Sequence, residues 1–287
     1  VGLFDDLDLA AGHSKKSDAR IIRAPFGYPG GKSRSIGNIL PHLPYRTKYI
    51  EPFGGSAAVL LARKPSKLEV YNDRYGGVVA FYRCLRDPVM YQKLVEWLDL
   101  TVHAREAFDF CKEWNIDDPI ERAGRWYYIT QSSFGSLGRN WGRQTTRSSM
   151  AGKIRNKLKI FPKIHERFHN VQVENQDWED CMRDYDSKDA VIYCDPPYVD
   201  VHRGTYKNEM TIQRHREFIK RVFQCKGFVA VSGYSTPLYE ENKWDDRLEW
   251  KAFVSIQSVV NTEANNKAGF DDKRGHATEV LWIKKAR

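Results

Sequence analysis

The chain has 287 residues, of which 41% are hydrophobic and 29% charged, a composition ordinary for a globular protein large enough to bury a full core. No apolar run approaches the roughly 18 residues needed to span a bilayer. The opening residues 1–16 are acidic and then polar, without the basic flank and apolar stretch of a signal peptide, so an intracellular chain is expected. The five cysteines (Cys84, Cys111, Cys181, Cys194, Cys225) form no Cys-x-x-Cys pair, which argues against a zinc site or a disulfide framework. The formal charge of +9 favours a polyanionic partner. Its distribution says more, because residues 139–167 hold nine Lys or Arg against the single acid Glu166. The plainer reading of that run is a solvated basic helix and loop.

Residues 1–20 lack apolar periodicity and read as a loose tail. From Tyr49 onward, short apolar runs alternate with helical stretches. KYIEPF (48–53) is strand-like and GSAAVLLARK (55–64) helical; KLEVYND (67–73) is strand-like and GGVVAFYRCLRD (76–87) helical. Residues 88–100, 104–114 and 118–131 all carry helical spacing with no strand between them, and run into a Gly-, Ser- and Arg-rich loop or hairpin over 131–149. Alternation then resumes, with strands over 171–176, 189–194 and 227–233 and a helix over 211–225. Two last apolar segments, 248–260 and 277–285, flank the polar loop 261–275 and read as an antiparallel edge pair. The expected fold is α/β: a Rossmann-like, mostly parallel sheet with an antiparallel edge pair. Its catalytic domain comprises residues 21–87 and 168–287, interrupted by a helical and basic insertion over 88–167.

Four local patterns carry chemistry. Asp195-Pro196-Pro197-Tyr198 follows a buried strand directly, where ligands bind in open α/β sheets. Consecutive prolines cannot continue a ladder and stiffen the turn. Such a turn offers the Asp195 carboxylate, the Pro196 carbonyl and the Tyr198 ring to a planar amino-substituted base. The plainer reading is a turn whose Asp caps a backbone amide. Glu51-Pro52-Phe53-Gly54-Gly55-Ser56 lies between a strand and its helix, where Gly54 and Gly55 let backbone approach a ligand. Asp73 ends the next strand about twenty residues on, the place where an acid accepts ribose hydroxyls or, alternatively, caps a helix. Phe26-Gly27-Tyr28-Pro29-Gly30-Gly31-Lys32-Ser33 imitates a Walker loop, but Phe26 stands where that loop needs glycine.

Taken in chain order, with Tyr28–Lys32 first and Asp195–Tyr198 last, the four patterns resemble the Dam-like adenine DNA methyltransferases, over Phe26 to Lys284. The resemblance implies S-adenosyl-L-methionine as cofactor, bound by Tyr28, Lys32, Gly54, Gly55, Asp73 and Asp177, with Asp195 at the junction of cofactor and base. It implies double-stranded DNA as substrate, with a cognate restriction enzyme as a further candidate partner, and a cytoplasmic location in a bacterial cell or phage-infected host. Arg274-Gly275-His276-Ala277-Thr278-Glu279 and the apolar residues after it are similar to the family's closing strand. Two departures stand out: Ser232-Gly233-Tyr234 where the family often has Ser-Asn-Tyr, and Gly138 to Arg143 where GATC-specific members carry a Phe-Asn-Val-Pro-like hairpin. The second leaves the target sequence open.

On this reading Asp195, Pro196 and Tyr198 are catalytic. Hydrogen bonds to the carboxylate and carbonyl would favour a pyramidal 6-amino nitrogen on a flipped adenine, ready for direct methyl transfer. Arg139, Asn140, Trp141, Arg143, Arg147 and Lys153 are the expected DNA contacts. Methylation of the cytosine 4-amino group, an RNA substrate and an inactive DNA-binding homologue are the alternatives; serine in place of Asp195 is commoner among the cytosine enzymes. If Arg143 and Arg147 contact phosphates, replacing both with Ala should weaken DNA binding and flatten its log–log salt dependence by up to about two units. Titrations at several salt concentrations measure this, and an unchanged slope would leave both arginines merely solvated.

Overall fold

The computed structural model describes residues 21–142, 150–199, 210–253 and 276–287. The 1–20 tail, Arg143, Arg147 and the polar loop 261–275 lie outside the described residues.

The strands are β1 (Lys48–Glu51), β2 (Leu68–Asn72), β3 (Val171–Glu174), β4 (Ala190–Cys194), β5 (Phe228–Tyr234), β6 (Asp246–Phe253) and β7 (His276–Lys284). Among the helices, α1 (Ile36–Ile39), α2 (Ala58–Ala62) and α3 (Gly76–Arg86) come first. Then follow α4 (Pro88–Leu100), α5 (Arg105–Cys111), α6 (Pro119–Ser132), α7 (Met150–Leu158) and α8 (Phe161–Phe168). The last three are α9 (Trp178–Tyr185), α10 (Ile212–Gln224) and α11 (Pro237–Glu240). None of the described helices is long and apolar enough to cross a membrane. The seven strands form one sheet in the order β3-β2-β1-β4-β5-β7-β6. Strands β1 to β5 pair in parallel, and β7 runs antiparallel to both β5 and β6, as the sequence pattern led us to expect.

Strand order reverses between β1 and β4, which are neighbours with Ile50 opposite Ile192. The carboxyl ends of two such strands open a crevice that no crossing connection fills. The Pro52–Ser56 and Asp195–Tyr198 turns leave from those two ends, so the topology alone brings two distant motifs together.

Successive side chains of each strand serve opposite faces. Tyr49, Tyr71, Val191 and Tyr193 enter one core with α3, α4, α6 and α8; Ile50, Val70, Ile192 and Cys194 enter the other with α9 and α10. Helices α4 and α6 begin where Asp-Pro pairs put proline in the first turn. Asp87 accepts from the amides of Val89 and Met90, and Asp118 from that of Glu121. Close contact with α3 needs glycine, since a Cβ on Gly77 would come within 2.2 Å of Trp126. The helices read as an insertion therefore share the sheet's own core, and Trp126, Tyr127 and Tyr128 are fully buried there.

Two positions of the basic run do not face solvent. The Arg167 guanidinium is buried, paired with Glu69 and donating to the Leu60 carbonyl at 2.8 Å. Lys157 is half-buried and reaches the Ala24 carbonyl at 3.4 Å. The expected phosphate-binding run is corrected accordingly, because Phe161, Ile164 and Phe168 turn α8 into a core helix and draw Arg167 inward. Arg167→Ala should destabilise the fold by about 3 kcal/mol, the cost of leaving a buried carboxylate short of a partner, while leaving the salt dependence of DNA binding unchanged. Chemical denaturation and salt titration together check this; wild-type stability with a flattened slope would return Arg167 to the DNA surface.

Candidate active site

Three strand ends are tied together before any ligand is considered. Asn72 is fully buried; its amide donates to the Pro52 carbonyl at 2.8 Å and its oxygen accepts from the Gln176 amide at 2.8 Å. The ends of β1, β2 and β3 are thereby held in one plane. Gly54 donates to the Asn72 carbonyl at 2.7 Å, and a Cβ there would meet the Tyr71 ring at 2.2 Å. Gly55 has φ +48°, a left-handed conformation that favours glycine, and sits beneath the Tyr28 ring. Asp73 closes the turn, accepting from the amides of Gly55 and Tyr75, each at 2.8 Å. Burial nevertheless raises its carboxyl to about 6, against the pull of those two donors. Burial likewise pushes Glu51 up to about 8, although the Tyr49 hydroxyl donates to it at 2.6 Å.

A second cluster lies at the end of β4. The Lys32 ammonium is buried and donates to Asp195 at 2.6 Å and to the Gly30 carbonyl at 2.8 Å, with Glu279 at 3.3 Å. Ser232 Oγ donates to Asp195 Oδ1 at 2.9 Å. Burial raises the Asp195 carboxyl above its ordinary range, and Lys32 and Ser232 oppose that rise. Burial would lower Lys32, but the two carboxylates outweigh it and hold the ammonium above its usual value. Tyr198 donates to Glu279 Oε1 at 2.8 Å and meets Tyr234 edge-on at 4.5 Å.

One cavity of about 350 Å³ connects the two clusters. Tyr28, Lys32, Gly54, Gly55, Asp73, Asp177 and Asp195 all line it, although they come from five separate stretches of chain. Pro196 lines it as well, whereas Tyr198 stands outside the wall beside Tyr234. Lys32 lines the cavity, and its ammonium also holds the Asp195 turn through Asp195, Glu279 and the Gly30 carbonyl. Asp177 does two jobs, capping α9 through the Glu179 amide and lining the cavity under the grip of Arg214 at 2.7 Å.

The expected DNA contacts separate. Arg139 and Asn140 are exposed, Arg139 at the cavity mouth, and Lys153 is exposed on α7. Trp141 is half-buried, stacked on His103 at 4.6 Å and edge-on to Phe108 at 5.4 Å, so it anchors the loop and is corrected as a base reader. Trp126, Ile129, Thr130 and residues 136–139 of the insertion form one cavity wall at the strand ends, because α6 packs directly on α3. Sequence reasoning passed over Phe53, Trp178 and Arg214, which stack on one another at the far end of the cavity. It also gave no role to Ser232 or Glu279. A carboxylate inside the apolar run of β7 was the available signal for Glu279, since buried acids are rare unless paired.

Residues 28–261 match a family model described as D12 class N6 adenine-specific DNA methyltransferase. The chain belongs to that family, and is an adenine-specific DNA methyltransferase. The DNA adenine methylase of Escherichia coli strain K12 is 25% identical over 272 residues, covering 87% of this chain and 93% of that protein. The DNA adenine methylase of Salmonella typhi is 25% identical over 243 residues, 76% of this chain and 83% of that protein. The Type II methyltransferase M.MjaIII of Methanocaldococcus jannaschii is 25% identical over 199 residues, 60% of this chain and 67% of that protein.

The raised carboxyl of Asp73 generates a test. With a folded value near 6 against 3.8 for a free side chain, the folded state binds more protons than the unfolded between those values. This group's contribution to stability therefore falls as pH rises through that window. Carbon-13 NMR of the folded chain should place the Asp73 midpoint near pH 6. A midpoint below about 4.5 would show an ordinary, solvated carboxylate.

Proposed function

We propose that the cavity holds S-adenosylmethionine and that methyl transfer to the adenine 6-amino group takes place directly at the Asp195–Tyr198 turn, on a base rotated out of the duplex. The observation that carries this reading is the single cavity that begins at Asp177 and Asp73 and ends at Asp195. Its lining fits such a cofactor. Phe53 and Trp178 offer aromatic surface at one end, Asp73 a carboxylate for paired hydroxyls in the middle, and the Gly54-Gly55 backbone a close approach beside Tyr28. When bound there, S-adenosylmethionine supplies an electrophilic methyl group on a sulfonium.

The remaining chemistry belongs to the chain. The 6-amino nitrogen of adenine is a weak nucleophile because its lone pair is delocalised into the ring. A hydrogen bond to the Asp195 carboxylate and another to the Pro196 carbonyl favour a pyramidal nitrogen whose lone pair faces the cavity. As the N–C bond forms and the sulfonium C–S bond breaks, the nitrogen becomes cationic; a carboxylate already fixed by Lys32 and Ser232 stabilises that charge without reorganising, and the extra proton then leaves the nitrogen for solvent. No covalent intermediate on the enzyme is needed. The turn lies at the strand ends, where a base stacked within a duplex cannot reach it, so the target must leave the helix, with the Tyr198 ring as its stacking surface. Exposed Arg139, Asn140 and Lys153 stand on the same insertion as contacts for the DNA.

Two measurements test this. Labelled S-adenosylmethionine with duplexes offering only adenine or only cytosine as acceptor should label the adenine duplex alone. Asp195→Ala should lower turnover at least about 10²-fold while the variant remains folded. Near-wild-type turnover in the purified Asp195→Ala variant would remove this turn from the chemistry.

A further inference from the structure

We propose that Glu279, on the closing strand β7, is a positioning residue for methyl transfer: its carboxylate fixes the Tyr198 ring, shares the Lys32 ammonium with Asp195, and leaves the cluster negatively charged where it faces the target amine. The inference rests on the reading of Asp195 and Tyr198 as the turn that receives the base.

Glu279 sits opposite Tyr234 of β5 and Trp250 of β6, and the residues that follow it, Val280, Leu281 and Trp282, are fully buried. Its own side chain is only 6% exposed. A carboxylate is costly to desolvate in such a place unless it is fully bonded. Three donors from two distant segments supply the bonds: Ser35 Oγ at 2.8 Å, the Tyr198 hydroxyl at 2.8 Å and Lys32 Nζ at 3.3 Å. These donors, Lys32 above all, hold the Glu279 carboxyl below its ordinary range although burial acts the other way. Trp250 Nε1 contacts Ser35 Oγ at 3.4 Å, so the edge strand braces the same cluster.

Neutralising Lys32 does not require Glu279, because Asp195 already contacts the ammonium at 2.6 Å. With Lys32 and Asp195 alone the cluster would be a neutral ion pair, whose carboxylate is a weak acceptor for anything further. The second carboxylate changes this: one cation and two anions leave a net charge of −1. Part of the ammonium's field is drawn to Glu279, and Asp195 keeps acceptor strength for an amine that turns cationic during transfer. The same contact also settles the aromatic surface. Lys32 Nζ lies 4.9 Å from the centroid of the Tyr198 ring, and the hydroxyl held by Glu279 leaves that ring one orientation against Tyr234.

Single-turnover methylation of a duplex under saturating cofactor and DNA, followed across pH, tests the proposal in Glu279→Gln with Asp195→Asn measured alongside. The charged and titratable groups facing Glu279 are Lys32, Asp195, Tyr198, Tyr193 and Tyr234. Ser35, Ser232 and Trp250 are its neutral polar surroundings. Glu279→Gln should keep the cofactor affinity within about twofold and lower the rate constant about tenfold or more, the effect of losing a charge-assisted hydrogen bond. It should also move the acid limb of the rate profile to lower pH, because the negative charge that raises the Asp195 carboxyl is gone. A purely structural role for Glu279 would not move that limb. A wild-type rate constant and an unmoved limb in Glu279→Gln, with Asp195→Asn inactive, would overturn this proposal and leave the assignment of the turn intact. A wild-type rate in Asp195→Asn would overturn both. If Glu279→Gln does not fold, Tyr198→Phe removes only the hydroxyl that Glu279 holds; it should lower the rate constant several-fold at unchanged cofactor affinity, and a wild-type rate there would also overturn the proposal.

Discussion

A single buried ammonium joins the two ends of this chain to its middle. Lys32 comes from the glycine-rich turn before α1, Asp195 from the end of β4 and Glu279 from the closing strand, and all three meet within 3.3 Å. A lysine so placed is strongly destabilising without carboxylates, and the carboxylates are equally unfavourable without it. Each therefore requires the others, so the Asp195-Pro196-Pro197-Tyr198 turn keeps its conformation only while the N-terminal turn and β7 are in place. That mutual dependence explains how the polar cluster survives beside a largely apolar sheet interior, in which Glu51, Glu69, Asn72 and Lys284 are further buried polar positions.

The sheet topology sets where this cluster can be useful. Because strand order reverses between β1 and β4, the glycine turn and the Asp195 turn leave adjacent strand ends and border one cavity. The Asn72 and Asp73 side chains then tie the glycine turn to the end of β2, bonding the Pro52 carbonyl and the Gly55 amide. The helices between α3 and β3 add the remaining wall. The part of the chain expected to touch DNA is thus continuous, through Ser136 to Arg139, with the part expected to touch the cofactor.

Much of this was legible in the sequence because it depends on local rules. Strand–helix alternation and paired prolines after an apolar strand each have a physical cause within a few residues. The parallel sheet, its antiparallel edge and the strand-end placement of Gly54, Asp73 and Asp195 follow from them. What could not be read depends on contacts across long separations. Arg167 reads as one more cation in a basic run, and only the packing of α8 turns it toward Glu69. Trp141 reads as a DNA-contacting side chain, yet His103 stacks on its ring and Phe108 packs edge-on to it. Lys32 lies in a glycine-rich turn that suggests a ligand, while its partner Asp195 is 163 residues away. Ser232, which carries no role in the sequence reading, donates to Asp195, and no spacing rule links those two positions.

The proposal that the Asp195 turn receives the amino group of an extrahelical adenine can be tested with a crystal structure of the chain bound to an unreactive S-adenosylmethionine analogue and an adenine-containing duplex. The target base should then lie outside the helix, with its 6-amino nitrogen about 3 Å from both the Asp195 carboxylate and the Pro196 carbonyl and its ring against Tyr198. A bound duplex whose target adenine remains stacked, or whose amine faces other groups while Asp195 holds only Lys32, would contradict it.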